Sequence, residues 1–278
     1  MSADNRVGSE ARAQIAAELA LLGGGLALER FHHGQASIAH DRSVPMDADV
    51  VIQEAVGREI ARVFPGDALV GDEGLLSPAR PDARYGWVLD PIDGTENFAR
   101  GLPGFSISIG VLRDGMPFAG AVYDPIARWL FTGCAGRGAW VNDRPLRVRG
   151  APAADGVLFS IRTPCDGAVP DFVDGWMRRH RLRRFGSTAL HLCYVAAGGL
   201  DFVHDDRASL WDIAGAAPIL LEAGGILTTD RGGAMFPPTS PQTIGAPISL
   251  LAGTPLAHAG ALRDIQAVAR RATAVTAP

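Results

Sequence analysis

Ile15, Leu19, Leu22 and Leu26 recur at steps of four, three and four, which marks one face of an amphipathic helix. Asp49 stands where a helix cap belongs. Ile52, Val56, Ile60 and Val63 continue as a second helix, which Pro65 and Gly66 end. Leu69-Val70 and Trp87-Val88-Leu89 read as short buried strands, the second stopping at Asp90. From residue 105 the period changes to two, with Phe105, Ile107, Ile109 and Val111 alternating with Ser106, Ser108 and Gly110. Asp114-Gly115 is a two-residue hairpin signal. Short strands follow near 118–123, 128–132 and 139–142, with Asn142-Asp143 as a turn. This half predicts helices packed on an antiparallel sheet.

Ala151-Pro152-Ala153-Ala154 reads as a linker, dividing the chain into parts 1–150 and 151–278. Beyond it strands (157–161, 181–185, 201–204, 225–229, 249–252) alternate with helices (171–179, 187–197, 212–223 and from 255). Alternation of this kind predicts an α/β layer.

Composition narrows the function classes. Of 278 residues, 47% are apolar and 20% charged, which excludes a disordered chain. The formal charge of −4 offers no basic field for nucleic acid or an anionic membrane. There is no lysine, so Schiff-base chemistry and a phosphate-loop lysine are excluded. Cys134, Cys165 and Cys193 are too scattered for a zinc site and fit reduced thiols. The apolar run Ala13–Leu28 lacks a basic flank and contains Glu18 and three glycines, unlike a signal peptide. The uncharged stretch 232–262 is broken by prolines and cannot be a spanning helix. The expectation is a cytoplasmic protein with no membrane contact.

The chemistry concentrates in Trp87-Val88-Leu89-Asp90-Pro91-Ile92-Asp93-Gly94-Thr95-Glu96-Asn97-Phe98. A buried strand delivers two carboxylates, then a Gly-Thr helix start. Backbone N–H groups there favour a phosphate, and the carboxylates can hold cations beside it. The plainer reading is an Asp-Gly turn with a capping Thr. Asp72-Glu73 follows another strand and reads alone as a solvated loop. Asp212 after Trp211, and Asp49, each read alone as helix caps. Together, carboxylates from four distant places are positioned to converge.

These motifs, with Trp211-Asp212-Ile213-Ala214-Gly215-Ala216-Ala217 and Gly71-Asp72-Glu73-Gly74, resemble the inositol monophosphatase family of metal-dependent phosphatases. Arg184–Leu190 and Gly136–Asn142 add to the likeness, which runs from about residue 10 to 270. The resemblance implies a layered αβαβα sandwich of the inositol monophosphatase and fructose-1,6-bisphosphatase type: an α+β N-terminal part and an α/β C-terminal part. It implies two to three Mg²⁺ ions. Asp90 would bridge two of them. The Ile92 carbonyl and the acidic pair would serve the first, and Asp93 and Asp212 the second. Gly94 and Thr95 would bind phosphate through backbone N–H groups, and the Thr95 hydroxyl, oriented by Asp49, would position the attacking water. Gly186, Ser187 and Thr188 would line a polyol pocket, and Asp205 would accept hydrogen bonds from substrate hydroxyls.

The two-residue gap between Asp90 and Asp93 differs from the D-x-D of aspartyl-phosphate enzymes, favouring direct attack by water. Two positions depart from the family. Asp72 stands where a glutamate is usual, so either Asp72 or Glu73 takes the ligand role. Met46 stands where a threonine is common, and with no lysine upstream only Arg42 could supply a cation there. The resemblance implies hydrolysis of inositol 1-phosphate or a similar polyol phosphate, a homodimer and lithium sensitivity. Histidinol-phosphate, sugar-bisphosphate or nucleotide phosphatases of the superfamily, or a regulatory protein with low turnover, are the alternatives. His191 and His204 read as structural or exposed.

Overall fold

The computed structural model describes residues 3–36, 43–72, 74–75, 83–151, 156–162, 169–237 and 246–275. Glu73, Arg42, Cys165 and most of the expected linker lie outside the described residues, as does the side chain of Met46. Two helices open the chain, α1 (Ala3–Ala36) and α2 (Ser43–Val63). They cover one face of an eight-stranded sheet built from β1 (Ala68–Gly71), β2 (Gly74–Leu75), β3 (Tyr85–Asp93), β4 (Ser106–Arg113), β5 (Met116–Asp124), β6 (Trp129–Cys134), β7 (Gly138–Val141) and β8 (Arg144–Pro145). Its order is β2-β1-β3-β4-β5-β6-β7-β8, antiparallel throughout except for the parallel pair β1–β3. The short α3 (Thr95–Ala99) joins β3 to β4.

The second half runs β9 (Leu158–Ile161), α4 (Asp171–Arg179), β10 (Arg181–Leu182), α5 (Thr188–Ala196), β11 (Phe202–Ala208), α6 (Leu210–Ala214), α7 (Ala216–Glu222), β12 (Ile226–Thr229), β13 (Ile248–Gly253) and α8 (Pro255–Val275). Its sheet is mixed, ordered β10-β9-β11-β13-β12, with β10, β9 and β11 parallel. Helices α5, α6 and α7 fill the layer between the sheets, while α4 and α8 cover the far face. This is the αβαβα sandwich expected from the sequence.

The alternation in β4 sets two faces. Ile107, Ile109 and Val111 enter the core under α1 and α2. The opposite face carries Leu112, Val122 and Phe131 into the core shared with α5–α7, and between them a row without side chains: Gly110, Gly120 and Gly133 lie side by side on β4, β5 and β6. A Cβ added at Gly110 would strike Ala214, at Gly120 the Gly215 carbonyl, and at Gly133 Ile219. The glycine row therefore lets the α6–α7 backbone lie directly on the sheet.

At the N-terminal end, the Arg12 guanidinium lies over the rings of Phe64 and Tyr85, 4.3 and 4.0 Å from their centroids. It makes two 2.7 Å bonds to Asp67, which also accepts from Trp87 Nε1 at 2.8 Å. Charge-assisted bonds of this kind contribute roughly 1.5–3 kcal/mol each, and these tie α1 to the approach to β1.

Several elements differ from expectation. Leu22 is 42% exposed, because the packed face of α1 is formed by Ala16, Leu19, Ala20, Gly23, Gly24 and Ala27. By length and composition Glu10–Phe31 could cross a membrane, but this segment packs on β4 and β5. Asp49 is not a cap: α2 begins at Ser43, and Asp49 sits on its buried side with Ala48 and Ile52. β3 does not stop at Asp90 but continues to Asp93. The helix expected from 212 starts after Ser209 and divides at Gly215. The strand expected over 181–185 ends at Leu182, and β11 continues past 204 so that Asp205 lies within it.

Gly120→Ala should destabilise the protein by roughly 1–3 kcal/mol, the usual cost of overpacking a filled interior. Urea unfolding is the measurement, and an unchanged midpoint would show that α7 has room to move off β5.

Candidate active site

Residues three apart on a regular strand point to opposite faces, because side chains alternate. Asp90 and Asp93 escape this. Asp90 lies opposite Ser108 and Asp93 opposite Ser106, so β3 takes three steps while β4 takes two. The extra residue forms a bulge at Pro91-Ile92, where proline's missing N–H costs no ladder bond. Both carboxylates then turn toward one point.

Asp212 on α6 reaches the same point, and ligand oxygens of Asp90, Asp93 and Asp212 all lie within 4.8 Å of one another. Asp90 and Asp93 are only 3% and 8% exposed. Asp72 follows β1, and its N–H donates to the Leu89 carbonyl at 3.2 Å, carrying the β1–β3 pairing up to Asp90. The charges of Asp72 and Asp49 both act on Asp90. Asp90, Asp93 and Asp212 thus meet at one point, and Asp72 and Asp49 lie near enough for their charges to act on it.

The second half grips Asp93. Ser187 Oγ and the Ala189 N–H each donate to its Oδ2 at 2.6 Å, and the Thr188 N–H donates to Oδ1 at 3.2 Å. Ser187 also caps α5 by accepting from the Leu190 N–H. Thr188 Oγ1 donates to Asp205 Oδ2 at 2.7 Å, and the Arg207 N–H donates to Asp205 Oδ1 at 2.9 Å. Asp205 is 2% exposed. Gly94, between Asp93 and α3, has φ +99°, and a Cβ there would sit 2.7 Å from the Gly104 carbonyl, so the turn requires glycine. The Thr95 hydroxyl donates to the Ile92 carbonyl at 2.9 Å.

Burial raises the Asp90 carboxyl well above its ordinary range, and the charges of Asp93, Asp212, Asp72 and Asp49 add to it. Burial lifts Asp93 to about 6, against the lowering effect of its bonds from Ser187, Ala189 and Thr188. Burial, then the Asp93 charge, lifts Asp212 to about 8, while the Ser209 N–H opposes the shift. None of the ion pairs among the described residues involves these three aspartates. Clustered acidic oxygens with no cationic side chain fit a hard divalent cation such as Mg²⁺.

The sequence shows neither the bulge nor the hold of Ser187 on Asp93. Ser187 carries a recognisable capping signal, but nothing in the sequence shows Asp93 reaching the same helix start. His191 and His204 are both buried.

Fold and cluster together describe a two-sheet protein whose acidic cluster, between strand ends and a helix start, could hold a cation. The model of the inositol monophosphatase family matches residues 9–270. "Nus factor SuhB" of Pasteurella multocida is 34% identical over 219 residues, 74% of this chain and 79% of that one. The inositol-1-monophosphatase of Mycobacterium bovis is 37% identical over 210 residues, 69% of this chain and 72% of that one. The inositol monophosphate-bound structure of SaIMPase-II superposes with a TM-score of 0.72 at 28% identity, covering 91% of this chain and 96% of that one. The chain belongs to the inositol monophosphatase family, and it is a phosphoric monoester hydrolase.

Raised carboxyl pKa values mean that the folded, metal-free protein holds protons that the unfolded chain has released. Stability then falls with rising pH from the unfolded value near 4 through the folded values of about 6 and about 8. In chelator, the thermal midpoint should drop across this window, and added Mg²⁺ should recover most at its alkaline end. A midpoint in chelator that rises between these limits would contradict the electrostatics described.

Proposed function

We propose that the chain hydrolyses a small phosphate monoester, inositol 1-phosphate or a similar polyol phosphate, with two to three Mg²⁺ ions. The observation that supports this is the buried Asp90–Asp93–Asp212 cluster in a chain of this family. Asp90 would serve two ions, Asp72 and the Ile92 carbonyl the first, and Asp93 and Asp212 the second; Glu73 is the alternative to Asp72. When bound, the ions neutralise phosphate oxygens, make water a better nucleophile and stabilise the leaving oxygen.

The backbone N–H groups of Gly94 and Thr95 donate to the phosphate. The Thr95 hydroxyl, which here donates to the Ile92 carbonyl, would position the attacking water with Asp49 orienting it. Gly186 and Thr188 border the polyol, whereas Ser187, expected beside them, is fully buried with its hydroxyl on Asp93. Asp205 already accepts one protein hydrogen bond on each oxygen, and a carboxylate has about four lone-pair sites, so each oxygen can accept one substrate hydroxyl. Homodimer formation and lithium inhibition follow from family membership, and a cytoplasmic location from the scattered cysteines and an N-terminal run unlike a signal peptide.

A regulatory role with low turnover is the second reading, favoured by the Pasteurella relative named a Nus factor. A panel of phosphorylated metabolites assayed for phosphate release with Mg²⁺ separates the two readings and ranks the substrates.

Phosphate release should require Mg²⁺, and Asp93→Asn should lower kcat on the order of 10³-fold, about 4 kcal/mol, because one charge of the cation site is lost. Activity in EDTA equal to that with Mg²⁺ would sink the proposal. Asp205→Ala should lower kcat/KM for a polyol phosphate by about 10- to 150-fold, the worth of one charged hydrogen bond. It should barely affect an aryl phosphate, which has no hydroxyls to offer. Equal losses on both would assign Asp205 to holding Thr188 and α5 rather than substrate.

A further inference from the structure

The segment 185–189 supplies every donor that the second half gives to Asp93, through Ser187, Thr188 and Ala189. Its first residue, Phe185, is held on both sides of its backbone. The Phe185 carbonyl accepts from Asn97 Nδ2 at 2.6 Å, and the same amide nitrogen contacts the carbonyls of Gly104 at 2.9 Å and Pro103 at 3.1 Å. All three partners are acceptors, which fixes the orientation of the amide. The Phe185 N–H donates to His191 Nε2 at 2.9 Å.

The Asn97 amide occupies a slot between two glycines with left-handed backbones, Gly104 (φ +91°) and Gly186 (φ +95°). A Cβ on Gly104 would lie 3.0 Å from Asn97 Nδ2, and one on Gly186 would overlap the amide. His191 is 4% exposed, and burial with the Arg184 charge lowers its imidazole to about 3, so Nε2 stays an acceptor and Nδ1 carries the proton. Asn97 belongs to the first half and His191 to the second. Neither bonds to Asp93.

We propose that Asn97 and His191 are positioning residues for the cation site, acting through Phe185 on the segment that orients Asp93. The inference rests on Asp93 being a cation ligand, as proposed above. It makes the asparagine of the Thr95–Phe98 motif a bridge between the halves rather than part of the phosphate contact. Partners that orient a ligating carboxylate typically change metal affinity by about 10- to 100-fold when lost. Asn97 and His191 stand one step further out, so the lower end of that range applies.

The test is calorimetric titration of Mg²⁺ into the metal-stripped full chain, with thermal unfolding measured in parallel. Asn97→Ala and His191→Leu should each weaken Mg²⁺ binding about tenfold. His191→Gln keeps an acceptor near Nε2 and should stay close to the parent. A purely structural role would lower the thermal midpoint and leave Mg²⁺ affinity unchanged. If His191→Leu does not fold, the half-buried Asn97→Ala decides. Parental Mg²⁺ affinity in Asn97→Ala overturns the inference and leaves the proposed function standing. A parent chain that takes up no Mg²⁺ overturns the function, and this inference with it.

Discussion

Repulsion among buried carboxylates is the constraint that shapes the centre of this molecule. Asp90, Asp93 and Asp212 have oxygens within 4.8 Å of one another. Removing one ion from water costs several kcal/mol even after the protein relaxes. One hydrogen bond to a charged group returns roughly 1.5–3 kcal/mol. The fold supplies such bonds unevenly. Asp93 receives three from residues 187–189, Asp212 receives one from Ser209 and shares one with Asp90, and Asp90 also receives one from the Ile92 N–H at 3.2 Å. The best-served of the three carboxyls, Asp93, is the one lifted only to about 6, whereas Asp212 reaches about 8. Backbone and hydroxyl donors therefore moderate the repulsion without removing it, and a cation held there would supply the remainder.

Bringing the three groups together depends on two local devices. The bulge at Pro91-Ile92 rotates Asp93 onto the side of Asp90. The glycine row of β4–β6 lowers α6 and α7 onto the sheet, with Gly110 under Ala214 and Ser108 beside Gly215. Ser108 pairs with Asp90, and its hydroxyl faces the Trp211 carbonyl at 3.4 Å. The residue after Trp211 is Asp212. A bulkier face on β4 would push α6 outward and take Asp212 away from Asp90. Packing of the middle layer and assembly of the site are thus one event.

Much of this was legible in the sequence, for identifiable reasons. Alternation at 105–111 and the Asp114-Gly115 turn specify the β4–β5 hairpin, because a two-residue period and positive-φ residues have few other solutions. The acidic motifs announce their chemistry by residue type. Long-range geometry was less visible. The bulge follows from tertiary pairing, and period-two reasoning alone would have separated Asp90 from Asp93. The packed face of α1 was misplaced because alanine and glycine carry close contact without a strong apolar signal. Asp49 reads as a cap because the start of α2 at Ser43 has no regular apolar pattern, and the strand expected over 201–204 stops short of Asp205 because β11 runs on through charged residues.

Thr188 joins the two tasks of the proposed site in a single residue. Its N–H holds Asp93 and its hydroxyl holds Asp205. Because χ1 is restricted in a β-branched residue, the hydroxyl cannot swing to a new acceptor without leaving its preferred rotamer. Repositioning Asp205 around a polyol must then strain Thr188 or shift its backbone, and the shift is delivered to Asp93. The same argument runs in reverse from the cation side. In the proposed site, substrate recognition and cation placement would consequently be coupled through Thr188.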